Sequence, residues 1–275
     1  AVTVAAASPP RRDRRAEAAL RSLNAWSEAR PFVAAHAHAR VGGAALADAD
    51  VARLARRLAG RSVAVCLGGG GSRGLAHVGV LRALREARVP VDVVGGASQG
   101  AMVAALYAQW PDDFGEFERR VSMFALMMAS LVEKMLELTL PLLSWFSGRR
   151  FNAGLRRVLG GDDTLIQDLP VPFFACSVDL VTGARARRTC CFALAAGRAR
   201  AILSHSVVQR RTRPLSLTGT LRTHTKGPVW RACRASMGLA NFLPPVSERG
   251  ALLVDGGYLA TLPIDAAAAA ARAGV

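Results

Sequence analysis

The chain has 275 residues, 51% hydrophobic and 20% charged, enough apolar material for one large α/β core or two small ones and too much for a disordered segment. The formal charge is +16, yet eleven Arg or Lys and no Asp or Glu fall between Thr182 and Arg231, so most of the excess occupies one stretch. Aromatics are only 6% and no basic run is interleaved with Tyr or Phe, which argues against a stacking platform for nucleic acid. The five cysteines are odd in number and form no C-x-x-C pair, so neither a disulfide framework nor a zinc site follows, and a reducing compartment is expected.

Residues 1–20 hold no signal-peptide core, because Arg11 to Arg15 break the apolar run. Residues 11–30 read as an Arg- and Glu-rich surface helix and 31–45 as irregular; together 1–45 form an N-terminal extension, helical or partly disordered. From residue 46 to 275 a single catalytic-type domain suffices. Asp48 or Asp50 caps a helix reaching Leu58, with Val51, Leu54 and Leu58 at helical spacing. Ser62 to Leu67 is a buried strand, Gly68 to Gly74 a glycine loop, and Leu75 to Arg88 an amphipathic helix. A second strand at Val91 to Val94 runs into Gly95-Gly96-Ala97-Ser98-Gln99-Gly100, and a helix of small residues follows from Ala101 to Gln109.

Helices are expected at 114–138 and 150–159, strands at Phe173 to Val178 and Ala184 to Thr189, a helix at Trp230 to Leu239, and a third buried strand at Ala251 to Val254 ending in Asp255-Gly256-Gly257. Strand and helix alternating over short connections predict an open, mostly parallel sheet flanked by helices, a three-layer α/β/α architecture. The greasy segment Val121 to Phe146 is interrupted by Glu133, Lys134, Glu137 and Pro141 and is too broken to span a membrane. Its Met and Leu residues suit either an ordinary core helix or an acyl-chain or membrane-facing cap. The chain lacks an initial Met and stops just past a helix at Ala266 to Ala271, so a C-terminally truncated fragment is expected.

Three loops carry candidate chemistry, each after a strand end, where open α/β sheets bind ligands. Gly69, Gly70, Gly71, Ser72, Arg73 and Gly74 offer backbone N–H groups with no side chain in the way, suited to an oxyanion or a phosphate. Gly69-x-Gly71-x-x-Gly74 also satisfies a dinucleotide fingerprint with Asp92 downstream, but Asp92 starts its strand, whereas a ribose-binding acid should end it. Gly96-x-Ser98-x-Gly100 between strand and helix is the pattern of a nucleophile elbow, and a mere helix cap is the competing meaning. Asp255, with Gly256 and Gly257, is either a turn former or a base able to take the serine proton. Of His36, His38, His77, His205 and His224 none falls late in the chain after the acid, so a Ser–Asp dyad is favoured over a triad. No Cys, His and acid cluster has metal-ligand spacing, and no cofactor is implied.

These motifs in this order resemble the patatin-like phospholipases, most closely the neuropathy target esterase group of lysophospholipases. L-A-R-R-L-A-G (54–60), G-G-G-G-S-R-G-L-A-H-V-G-V-L (68–81), V-P-V-D-V-V-G-G-A-S-Q-G (89–100), F-N-A-G-L-R-R-V (151–158), R-A-S-M (234–237), L-P-P (243–245) and D-G-G-Y-L-A-T-L-P (255–263) carry the likeness. The resemblance implies a serine esterase acting on lipid esters, chiefly lysophospholipids. It makes Ser98 the nucleophile, Asp255 the proton acceptor and Gly69 to Gly74 the oxyanion hole. It also implies a membrane surface as partner and an intracellular place on the cytosolic face of a membrane, the endoplasmic reticulum. Two departures stand out. Ala260 and Thr261 replace Asn residues usual after D-G-G-Y, which raises a catalytically impaired lipid-binding module as the alternative. The family pattern also runs from Thr189 directly to Thr223 or His224, so residues 190–222 are expected to be a disordered surface insertion, lineage-specific or a translated intron. Sequencing the spliced transcript decides between those two origins: codons for 190–222 retained in the mature message are expected only from a lineage-specific insertion.

Overall fold

The structure is a computed structural model that describes residues 3–5, 38–42, 45–46, 48–129, 135–140, 144–181, 200–203 and 219–273. The seven-stranded main sheet has strands β4 (Val63–Leu67), β5 (Val93–Ala97), β6 (Phe173–Asp179), β7 (Arg200–Leu203), β8 (Thr220–His224), β9 (Val246–Glu248) and β10 (Ala251–Asp255). Its order is β7-β4-β5-β6-β10-β9, with β8 also paired to β6. Strands β7, β4, β5 and β6 run parallel, while β8, β9 and β10 join antiparallel. The expected mostly parallel α/β architecture is present. A separate small sheet pairs β1 (Thr3–Ala5), β2 (His38–Gly42) and β3 (Ala45–Leu46) in that order. It corrects the helical or irregular reading of 1–45 where the structure describes it, since these strands are two to five residues long and carry no unbroken apolar run. Residues 11–30 lie outside the described residues.

Helices cover both faces of the main sheet. On one side sit α2 (Ala76–Glu86), α3 (Gln99–Gln109), α4 (Phe114–Ala129), α5 (Arg149–Leu159) and α6 (Val229–Ser236); α7 (Ile264–Ala273) packs on the other through Ala266, Ala267, Ala270 and Ala271 against Ala64, Cys66, Phe174 and Cys176. Helix α5 shows why the pattern folds: Phe151, Leu155, Val158 and Leu159 recur on one buried face while Arg149, Arg150, Arg156 and Arg157 stay outside, and Gly160 at φ +96° ends it. Helix α3 is apolar nearly all round and is buried from Gln99 to Ala108, with alanines that admit close neighbours.

Several expectations need correction. The second strand is Val93–Ala97 and includes Gly95 and Gly96, because a side chain at Gly95 would meet the Phe174 ring at 2.3 Å. Residues 136–138 leave the helix expected over 114–138; Leu138 instead bridges Phe146. Within 190–222, residues 200–203 form β7 beside β4, and 220–222 begin β8 beside β6. The rest of that segment, and the strand expected at 184–189, lie outside the described residues. The segment from Val121 to Phe146 divides: Val121 and Phe124 are buried in the core, whereas Leu126, Met135, Leu136 and Leu140 are exposed.

A helix α1 (Asp48–Leu58) is pinned to the amino end of the sheet. The Arg56 guanidinium donates to both carboxylate oxygens of buried Asp92, which also accepts the Val63 N–H at 2.9 Å. Asp92 is therefore occupied at the end of the sheet away from the glycine loop, and the dinucleotide reading loses its acid. Asp92→Asn removes the charge facing Arg56, which is about a third exposed, and is expected to lower stability by about 2–3 kcal/mol in urea unfolding.

Candidate active site

Strand β6 assembles the site. Its edge opposite β8 is shared by two strands in succession: β5 runs parallel along Phe173 to Cys176, and β10 arrives antiparallel along Asp179 to Ser177. Their carboxyl ends therefore meet head-on, Ala97 opposite Cys176 and Asp255 opposite Ser177. Ser98 follows immediately after Ala97, and its hydroxyl donates to Asp255 Oδ2 at 2.7 Å. Each of the three loops follows a strand end, but β10, which leads into the third, runs antiparallel to β6 while β5 runs parallel to it.

The turn at Ser98 has φ +53° and ψ −129°, a conformation rare for a side-chain-bearing residue and a local strain of about 1–3 kcal/mol. Its neighbours must be glycine for a steric reason. A Cβ on Gly96 would lie 1.9 Å from the Leu67 carbonyl oxygen and one on Gly100 2.3 Å from the same atom, so the end of β4 presses on both sides of the turn. The Ser98 N–H donates to Ser236 Oγ at 2.9 Å, and Ser98 itself is half-buried. A helix cap would accept N–H groups through its side chain; Ser98 makes no such bond, and its hydroxyl is turned to the carboxylate.

Asp255 is buried and held on three sides. Its own N–H donates to the Gly238 carbonyl at 2.9 Å, Oδ1 accepts the Gly257 N–H at 2.7 Å, and Oδ2 faces Ser98. Burial pushes its carboxyl above the ordinary carboxylate range, and the bonds from Gly257 and Ser98 pull it partly back. Gly256 allows the close passage, since a Cβ there would lie 2.2 Å from the Cys176 carbonyl oxygen.

The glycine loop lies against the serine: a Cβ on Gly69 would sit 3.1 Å from Ser98 Cβ. Its donors are fewer than expected. The Gly69 N–H is taken by the Thr261 carbonyl at 2.9 Å, so Gly69 serves as a spacer, and Gly70 and Gly71 supply the amides that no described carbonyl takes. Gly71 needs its φ of +56° to open the 3-10 turn Gly71–Leu75, which carries Ser72 and Arg73 at the surface and buries Gly74 against Gln99. His77 Nε2 donates to the Gly68 carbonyl at 2.8 Å, and burial lowers the pKa of its ring, so it steadies the loop as a neutral donor. His224 pairs with Ser177 Oγ at 2.7 Å. Neither histidine bonds Ser98 or Asp255; His36 and His205 lie outside the described residues. Among the described residues no group of His, Cys, Asp and Glu could hold a metal ion.

Reading the sequence overlooked three supports: Ser236, the Gly238 carbonyl, and Thr261, whose hydroxyl donates to the Gly257 carbonyl at 3.2 Å while its own carbonyl holds Gly69. Ser236 and Thr261 lie inside the R-A-S-M (234–237) and D-G-G-Y-L-A-T-L-P (255–263) strings, which carry the residues but not their contacts. Ala260 and Thr261 leave the acid loop supported, as Ala260 N–H also reaches the Gly256 carbonyl at 2.9 Å.

Comparison with known proteins finds a match to the model of the patatin-like phospholipase family over residues 65–268. The patatin-like phospholipase domain-containing protein ZK370.4 of Caenorhabditis elegans is 39% identical over 218 residues, covering 78% of this chain and 13% of that protein. Patatin-like phospholipase domain-containing protein 6 of Homo sapiens is 38% identical over 220 residues, 79% of this chain and 13% of that protein. Lysophospholipase NTE1 of Mycosarcoma maydis is 38% identical over 215 residues, 78% of this chain and 9% of that protein. The chain thus spans about an eighth or less of the length of these relatives.

The glycines separate two kinds of substitution. Gly96→Ala drives a methyl into the Leu67 carbonyl and is expected to cost about 3 kcal/mol or more, read as a fall in Tm of roughly 6–12 °C. Gly79→Ala, in α2 with nothing within 4 Å of the added carbon, is expected to raise stability by about 0.5–1 kcal/mol in the same melts.

Proposed function

The chain belongs to the patatin-like phospholipase family, and we propose that it is a serine esterase that hydrolyses the carboxylic ester of lysophospholipids through Ser98 and Asp255. The observation that carries the reading is the 2.7 Å hydrogen bond from the Ser98 hydroxyl to a buried carboxylate, beside a loop whose Gly70 and Gly71 amides point to no described carbonyl. Asp255 takes the Ser98 proton as Oγ bonds to the ester carbonyl carbon. The resulting oxyanion lies against the glycine-loop amides, with Gly256 and Gly257 letting the acid loop approach. Collapse breaks the ester bond, and the protonated Asp255 returns its proton to the leaving alcohol. Water, deprotonated by Asp255, then attacks the acyl-serine, and as the acyl–oxygen bond breaks Asp255 returns that proton to Ser98 Oγ, releasing the fatty acid and restoring both residues. No metal or cofactor has a part in this sequence of steps.

Burial suits the carboxylate to the task, since a raised pKa makes it a stronger base than an exposed aspartate. Substrate class rests on the relatives, one of which is a lysophospholipase by name, and on exposed Leu136, Leu138, Leu140 and Trp145, an apolar strip suited to acyl chains and a membrane surface. The cytosolic face of an intracellular membrane is the proposed place of action. Among the described residues no helix is long and apolar enough to cross a membrane.

A fluorophosphonate is expected to label the wild-type chain at Ser98, and Ser98→Ala to lose both label and hydrolysis of lysophosphatidylcholine. A wild-type chain that binds lysolipid without label or turnover would instead be the non-catalytic lipid-binding module. Asp255→Asn is expected to lower kcat/KM by about 10²- to 10⁴-fold. The sign of the pH dependence follows from the base: Asp255 works ionised, and its pKa is raised, so kcat/KM falls on acidification at a pH above that of an ordinary aspartate, about 3.9. An acid limb at or below that value in a kcat/KM profile contradicts the assignment of Asp255.

A further inference from the structure

Strand β5 leaves the sheet at Ser98, and the way it leaves involves a residue from a distant helix. Val94 N–H donates to the Pro172 carbonyl at 3.0 Å, which sets the rungs of the parallel β5–β6 ladder. Rungs of a parallel ladder recur every second residue, so continuing this one from Val94 through Gly96 would join the Ser98 N–H to the Cys176 carbonyl. That rung is present in lengthened form. The Ser236 hydroxyl stands between the two groups, accepting the Ser98 N–H at 2.9 Å and donating to the Cys176 carbonyl at 2.6 Å. The Cys176 carbonyl lies where the β6 edge passes from β5 to β10, so the inserted hydroxyl caps it at that change of partner.

Two residues further along the same turn, the Gly238 carbonyl accepts the Asp255 N–H at 2.9 Å. Ser98 and Asp255, 157 positions apart in the sequence, thus both hang from the end of α6. That end is itself anchored: Arg234, buried, donates through Nε to Asn152 Oδ1 and through an Nη to the Pro244 carbonyl, both at 2.7 Å.

We propose that Ser236 is a positioning residue for the ester hydrolysis, its hydroxyl spacing the Ser98 turn away from β6 so that Oγ meets Asp255. The proposal rests on the reading of Ser98 and Asp255 as nucleophile and base. The bridge has two functions that only a short hydroxyl at this place combines. It satisfies the N–H of half-buried Ser98 and a buried C=O that would otherwise be orphaned, and it holds the ladder open by the width of one oxygen. Without it, the Ser98 N–H is left without its partner or closes directly onto the Cys176 carbonyl, and either change moves Oγ relative to the carboxylate. Ser236 meets neither substrate nor the reacting atoms, so binding should be spared.

The test compares Ser236→Ala, Ser236→Thr and Asp92→Asn with the wild-type chain, on a lysophosphatidylcholine and on a short-chain ester, with rates divided by the sites that a fluorophosphonate titrates. Ser236→Ala is expected to lower kcat per titrated site by about 30- to 100-fold with KM within about twofold. Ser236→Thr, which keeps the bridging hydroxyl, is expected to recover kcat to within about fivefold. Asp92→Asn melts earlier but keeps its rate per site, because it loosens the opposite end of the sheet. Ser236→Ala with an unchanged rate per titrated site, or with a rise in KM alone, overturns the proposal. If Ser236→Ala does not fold, Ser236→Cys replaces it: the longer, weakly bonding thiol is expected to lower kcat with KM held, and a rate equal to that of Ser236→Thr overturns it. A wild-type chain that neither labels nor hydrolyses either ester removes the esterase reading as well, and is thereby distinct from failure of Ser236 alone.

Discussion

One edge of one strand carries two others in turn, and the site follows from that constraint. Strand β6 is long enough, at seven residues, to pair with β5 along its first half and with β10 along its second. Parallel β5 and antiparallel β10 can share that edge only by ending against each other. The last residue of β10 and the residue just past β5 are then neighbours whatever their separation in the chain. A serine and an aspartate occupy the two places, and a 2.7 Å hydrogen bond joins them. All seven residues of β6 are buried, so the strand is packed on both faces.

The second constraint is crowding at the Leu67 carbonyl. This one oxygen lies within 2.3 Å of where side chains at Gly96 and Gly100 would begin, which forces the strand–turn–helix to pass over the end of β4 as bare backbone. The same closeness brings the glycine loop after β4 against Ser98. Thr261 then fastens that loop to the acid loop, by accepting the Gly69 N–H and donating to Gly257. Three segments far apart in sequence are tied into one unit by short hydrogen bonds, none of them to a charged partner other than Asp255.

That carboxylate has two hydrogen-bond donors and no cation bonded to it among the described residues. Desolvation outweighs those donors, and its pKa rises. The arginines elsewhere have other duties: Arg56 holds Asp92, Arg120 holds Glu116 and the Val158 carbonyl, and Arg156 stacks over Trp230 at 4.3 Å. None of these three arginines bonds Ser98 or Asp255, and the centre of the candidate site is governed by burial and amide dipoles.

How much of this was legible beforehand depended on the range of the interactions involved. The α/β alternation, the buried strands at 62–67 and 251–254, and the three glycine-flanked loops stand in the sequence because period, apolar runs and glycine are local signals. Ser98 and Asp255 could be singled out for the same reason, each sitting at a strand end beside glycines. The true extent of β5, through Gly95 to Ala97, was hidden, because glycine reads as loop until Phe174 and Leu67 are seen to leave no room for a side chain. The pieces of strand inside 190–222 and in the first forty-six residues were hidden because they are either two to four residues long or broken by His and Arg, as in H-A-R-V-G and T-L-R-T-H, with no unbroken apolar run.

By itself, then, the sequence determined the class of fold and the residue types placed at each strand end, since these depend on neighbours within a few positions. Tertiary structure alone decided that β10 runs against β5, that Gly69 gives its amide to Thr261, and that Ser236 stands between Ser98 and Cys176. Those outcomes are pairings between segments sixty to two hundred residues apart, set by which donor meets which acceptor once the core has closed, and no pattern along the chain encodes them.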